Sequence, residues 1–247
     1  MDLDRVIAVR NSKTVYRDGE NCIKVFDSDY SKADVLNEAL NQARVEEIGL
    51  HVPKVLEVST IDGKWAIVSE YIKGKTLTQL MQENPDRVDE YKDLFIDLQL
   101  TVQSKTCAQL SRLDIKLGGK IMQADVDLVT RYDLYARMEA MARHANICHG
   151  DFRPSNIVLT ADGTPFILDW SHVTQGHPAA DAAHTYLYLS LKTGEEAAEE
   201  YLARYCEKSG LGKQSVRRWV PVVAAAQSVK CNAQERDFLL HWASVVD

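Results

Sequence analysis

Three side chains in "ICHGDFRPSNIVLTADGTPFILDW" (147–170) have the types and spacing to converge on a cation: Asp151, Asn156 and Asp169. Asp151 follows His149 and Gly150, a glycine that admits backbone angles other residues resist. Asn156 comes five positions later, just before the apolar run "IVLT", and Asp169 closes the partner run "PFILD" beyond the turn "ADGT". A hairpin brings its two open ends together, which predicts Asn156 and Asp169 as neighbours with Asp151 on the adjoining loop. One carboxylate and one amide oxygen suit Mg²⁺, a hard ion that keeps waters and takes further oxygens from phosphate. The remaining carboxylate, Asp151, is then free to accept a proton. A purely structural hairpin would explain any one of these residues; the set in one loop favours chemistry.

The elements that must position them follow from the pattern. "RVIAVR" (5–10), "TVYRD" (14–18) and "CIKVF" (22–26) read as strands, the last two joined by the turn "DGEN". The periodic run 31–49 reads as a helix capped by Ser31 and stopped by Gly49, followed by strands over 54–60 and 64–72. From Thr76 to His144 the chain reads as helices, then comes the hairpin, and helical patterns over 179–193, 194–208 and 213 to the end complete it. The expectation is an α+β, bilobal chain: a β-rich N-terminal lobe (1–72), a connector near 69–75, and a helical C-terminal lobe (73–247). A ligand is expected in the cleft that such a layout leaves between its lobes.

Bulk properties exclude several classes. A net charge of −7 argues against nucleic acid as a partner, and the arginines of "SVRRWV" (215–220) read as solvated surface. "MDLDRVIAV" has acids where a signal peptide needs positive charge, and Pro221 and Gln227 break the apolar run 219–229, so no membrane is expected. Five scattered cysteines form no CxxC pair and read as reduced, mostly buried thiols in a cytoplasmic protein. "SGLGKQS" and "LGGKIM" fail the Walker A spacing, because Glu207 and Asp114 stand where its first glycine should be.

The pattern "HGDxxxxN" followed by "DW" resembles the aminoglycoside phosphotransferase and choline kinase-like family of the protein-kinase-like superfamily. The resemblance implies an ATP-dependent small-molecule kinase in which Asp151 is the catalytic base and Asn156 and Asp169 hold Mg²⁺. It implies a third-strand lysine on the nucleotide phosphates, matched by Lys24, and a helical glutamate to hold it, matched by Glu38. The segment "VSEYIKG" resembles the family's hinge, where the Glu70 carbonyl and the Ile72 N–H would meet adenine. "GHPAAD" (176–181) resembles a motif whose acid, here Asp181, supports the catalytic turn. His149 would anchor that turn, and Arg153 would either touch phosphate or cover the loop. The loop "RNSKT" (10–14) departs from the family by lacking glycine, which leaves Ser12 and backbone N–H groups for phosphate. "DWS" lacks the glycine that follows the aromatic residue in many protein kinases.

Eleven residues separate Asp169 from Asp181, too few for a protein kinase's activation segment, so a small-molecule acceptor is expected. Glu195, Glu196, Glu199 and Glu200 could attract a cationic acceptor, although an acidic helix face usually only meets water. Two alternatives stay open, a catalytically silent nucleotide-binding module and a protein kinase. The sequence sets neither the acceptor nor the oligomeric state.

Overall fold

Short runs of alternating β-favouring residues make the first strands, β1 (Arg5–Arg10), β2 (Lys13–Asp18) and β3 (Asn21–Phe26). The computed structural model describes residues 5–10 and 12–245, so Asn11 of the "RNSKT" loop and the first four residues of "MDLDRVIAV" lie outside it. Helix α1 (Lys32–Glu47) follows, then strands β4 (Val55–Ile61) and β5 (Lys64–Glu70). The five strands form an antiparallel sheet in the order β1-β2-β3-β5-β4. Period-2 alternation splits the sheet between two cores. Ile23, Val25, Ala66 and Val68 pack on one face, while Phe26 and Ile67 meet Val35 and Ala39 of α1 on the other. Ser31 stands at the N-cap of α1 with extended backbone, but its side chain makes no capping bond; Asp34 supplies negative charge in the first turn.

A short strand β6 (Gly74–Thr76) leads into α2 (Leu77–Glu83). The chain divides into two compact units, the first comprising 1–85 and 154–172, the second 86–153 and 173–247. Within the first unit the hairpin strands β8 (Ile157–Thr160) and β9 (Pro165–Ile167) pair with each other, and β8 also pairs with β6. Gly74 is required there, because a Cβ would stand 2.1 Å from the Leu159 carbonyl oxygen.

The second unit is mainly helical: α3 (Val88–Gln103), α4 (Leu113–Ile121), α5 (Leu128–Ala140), α6 (Pro178–Lys192), α7 (Glu195–Ser209), α8 (Lys213–Arg217), α9 (Val220–Ser228) and α10 (Ala233–Ala243). A two-stranded ladder of β7 (Asn146–Cys148) and β10 (Thr174–Gly176) runs among them. The apolar run around Pro221 is α9, buried on nearly every side, which explains its hydropathy. Among the described residues no helix is long and apolar enough to cross a membrane. All five cysteines are free, but only Cys107 and Cys148 are buried; the other three are half-buried.

Candidate active site

Strand register builds the cluster of the first unit. Lys13 pairs with Phe26 and Val15 with Lys24, so Lys13 and Lys24 are diagonal neighbours on one sheet face. That face is the one Phe26 presents to α1, and α1 carries Glu38 into it, 3% exposed. The Lys24 ammonium lies 2.8 Å from Glu38 Oε1 and 3.2 Å from Asp169 Oδ1. The Lys13 ammonium lies 3.2 Å from Glu38 Oε1 and 3.4 Å from Asp169 Oδ1, above the Phe26 ring. Burial disfavours the Lys24 charge, yet Asp169 and Glu38 outweigh it and hold the ammonium well above the ordinary lysine value. Burial likewise opposes ionisation of Glu38 and Asp169, and the two lysines reverse it, lowering both carboxyls below their ordinary values. Two cations and two anions thus share one nearly dry volume.

Asp169 does not end β9. It lies two residues beyond, with φ +63°, a left-handed angle that asparagine and aspartate tolerate better than most. Asn156 ends a 3₁₀ turn (Pro154–Asn156) at the start of β8 and is buried. The two strand ends meet: Ile157 pairs with Ile167, and the Leu168 N–H donates to the Asn156 carbonyl at 2.7 Å. Every described hydrogen bond to the Asp169 carboxylate, from Lys13, Lys24 and Ser171, falls on Oδ1. Asn156 and Asp169, brought to the same end of the hairpin by its backbone bonds, are the residues here whose oxygens could hold a hard divalent cation. Among the described residues no group of three or more His, Cys, Asp or Glu could hold a metal by itself.

The turn at residues 149–151 belongs to the second unit and is held mainly by neutral groups. Gly150 has φ +76°, and its N–H donates to Asp181 Oδ1 at 2.8 Å. Pro178 opens α6 with His177 as its N-cap, which puts Asp181, buried, in the first turn. Asp181 Oδ2 accepts from the Gln103 amide at 3.0 Å, and the Gln103 and Gln99 carbonyls each take a phenol, Tyr205 and Tyr201, at 2.7 Å. Thr185 donates to the Phe152 carbonyl at 3.0 Å. Burial first, and then nearby negative charge, pushes both phenols up, so they stay protonated as donors. His149 is fully buried, and its Nδ1 accepts from the Asp151 N–H at 3.2 Å. The Asp151 carboxylate pairs with Arg153 at 3.1 Å, and the Arg153 guanidinium lies over the Tyr188 ring.

The other expected residues are less engaged. At the expected hinge Glu70 pairs with Asn21 in the sheet and donates its N–H to the Lys54 carbonyl, and the Tyr71 N–H donates to the Glu20 carbonyl. Ser12 closes its loop by accepting from the Asp27 N–H at 3.0 Å. Glu199 is paired with Arg217 and the Tyr186 hydroxyl, and Glu200 with Lys92 and Arg204, so both are engaged inside the second unit. The sequence reading missed Lys13 and the Gln–Tyr frame around Asp181. Alternation along β2 would have placed Lys13 on the Lys24 face had the register been known; nothing in sequence separates those glutamines from solvated ones.

The phosphotransferase enzyme family matches the chain over residues 5–219. Among solved structures it is similar to the apo form of a thermostable mutant of aminoglycoside phosphotransferase APH(4)-Ia. The TM-score there is 0.71 at 15% identity, covering 98% of this chain and 92% of that one. A ternary complex of that protein with AMP-PNP and hygromycin B gives TM-score 0.68 at 13% identity, covering 98% and 94%. Choline kinase LicA from Streptococcus pneumoniae gives 0.64 at 14% identity, covering 98% and 95%. No curated protein sequence matches the chain. At such identities the structural likeness is one of fold, α+β and protein-kinase-like, and the family rests on the sequence match. The chain belongs to the phosphotransferase enzyme family.

Proposed function

We propose that the protein transfers the γ-phosphate of ATP to a hydroxyl of a small molecule, with Mg²⁺ as cofactor. The observation that carries this reading is the Lys24–Glu38–Asp169 cluster, which fixes an ammonium and an ionised carboxylate together at the hairpin mouth. Lys24 would hold the α- and β-phosphate oxygens, kept in place by Glu38. Asn156 and Asp169 would hold Mg²⁺, which when bound screens the phosphate charges. Asp151 would accept the hydroxyl proton as that oxygen bonds to the γ-phosphorus and the bond to the β–γ bridging oxygen breaks, releasing ADP. Asp181 and His149 act through the Gly150 turn, and Arg153 keeps the Asp151 carboxylate oriented. Residues 1–72 serve as the nucleotide lobe, with Glu70 and Ile72 reading adenine by backbone and Ser12 near phosphate, and 73–247 supply the catalytic loop and acceptor site. The acceptor is an aminoglycoside, choline-like or sugar-like alcohol. The five free thiols suit a cytoplasmic setting.

Turnover of ATP against a panel of aminoglycosides, choline and sugars tests this reading. Phosphorylation of one class is expected, with Asp151→Asn lowering kcat by about 10² to 10⁴ at unchanged nucleotide affinity. A silent nucleotide-binding module would bind MgATP and phosphorylate nothing, and a protein kinase would label protein hydroxyls in a lysate instead.

A further inference from the structure

Lys13 is the one member of the ionic cluster that no motif accounts for. It comes from the start of β2, immediately after a loop that contains no glycine. Its side chain is 12% exposed, and its ammonium bridges both Glu38 oxygens at 3.2 and 3.3 Å and reaches the same Asp169 oxygen as Lys24 at 3.4 Å. Lys24 holds the same two acids at 2.8 and 3.2 Å, so Lys13 makes the longer and weaker set of contacts. One ammonium between Glu38 and Asp169 would serve as an anchor. A second, on a strand end with a flexible four-carbon stem, leaves the cluster electrically neutral while no further ion is present.

We infer that Lys13 is a second nucleotide-phosphate ligand that rests on Glu38 and Asp169 in the free protein and leaves Asp169 when a divalent cation arrives with the nucleotide. The inference rests on the proposed nucleotide site. Its logic is charge conservation at one point: a divalent cation on Asp169 repels a neighbouring ammonium, and the triphosphate offers that ammonium a new anionic partner within reach of the same strand end. Lys13 then supplies from a side chain what a glycine-rich loop supplies through backbone N–H groups. The Phe26 ring beneath it, 5.7 Å from the ammonium, gives the displaced side chain an apolar surface that still favours a cation.

The test uses the full chain with two probes, Mn²⁺ alone followed by paramagnetic resonance, and AMP-PNP with Mg²⁺ followed by calorimetry. Lys13→Met is expected to bind Mn²⁺ tighter, by about threefold or more, because a competitor for Asp169 is gone. The same variant is expected to bind AMP-PNP about tenfold more weakly, because a phosphate contact is gone. Lys13→Arg should restore nucleotide affinity, which separates loss of charge from loss of fold. Opposite signs for the two probes support the inference. Both affinities falling together, or neither changing, would overturn it and reduce Lys13 to a packing contact. Wild-type protein that binds neither probe would sink the nucleotide site itself.

Discussion

The two compact units hold their key residues by different interactions. Around Lys24, four formal charges crowd one volume, two lysines against Glu38 and Asp169. Around Gly150 a single buried carboxylate, Asp181, is surrounded by amides and phenols whose described hydrogen bonds close on one another. An ionic cluster responds to every added ion, so it suits a place where nucleotide and metal come and go. Amides and phenols closed around one carboxylate hold backbone angles with little dependence on added ions, so they suit a turn kept in one conformation.

The comparison breaks most sharply on mutation of the two buried acids. Glu38→Ala leaves two ammonium groups facing one carboxylate and is expected to cost about 3–5 kcal/mol in urea unfolding. Adding Lys24→Met should recover part of that loss, because the imbalance is one of charge. Asp181→Ala strands the Gly150 N–H and the Gln103 amide, an expected loss of about 3 kcal/mol that no change of charge nearby relieves. Equal rescue of both variants by removing a lysine would erase the distinction. Tyr201→Phe and Tyr205→Phe each leave one amide carbonyl without its donor, for about 1 kcal/mol apiece.

A smaller effect separates the units by pH. Glu38 and Asp169 are lowered in the fold, so their contribution is present above the ordinary carboxylate value and is lost as pH falls below it. His177, which caps α6, is held down to about 4 by burial and by His144, while in the unfolded chain it protonates near 6.5. The unfolded chain therefore binds more protons in that interval, and the second unit loses stability as pH drops from about 6.5 towards 4. Hydrogen exchange should show α6 loosening at higher pH than β3, and His177→Asn, whose amide oxygen can accept from the Ala179 N–H in place of the ring Nδ1, should remove the difference.

The hairpin was readable because Asn156 and Asp169 flank its two apolar runs, where a turn signal fixes their meeting. Lys24 and Glu38 came from the family pattern, and the α+β order from periodicity. Lys13 was not legible, because its partner is decided by a strand pairing that places it diagonal to Lys24. Strands β6, β7 and β10 have three residues each, too few for alternation to register. Gln99 and Gln103 lie on α3 among residues of every polarity, and only their hydrogen bonds to Asp181 and Thr185 of α6 and to Tyr201 and Tyr205 of α7 mark them as inward.

The account depends most on Asp169 as a metal ligand beside the lysines. Calorimetric titration of AMP-PNP, with and without Mg²⁺, into wild type and Asp169→Asn tests it directly. Mg²⁺ should tighten nucleotide binding by about tenfold or more in wild type and leave the variant nearly unchanged. The same Mg²⁺ enhancement in both proteins would contradict it.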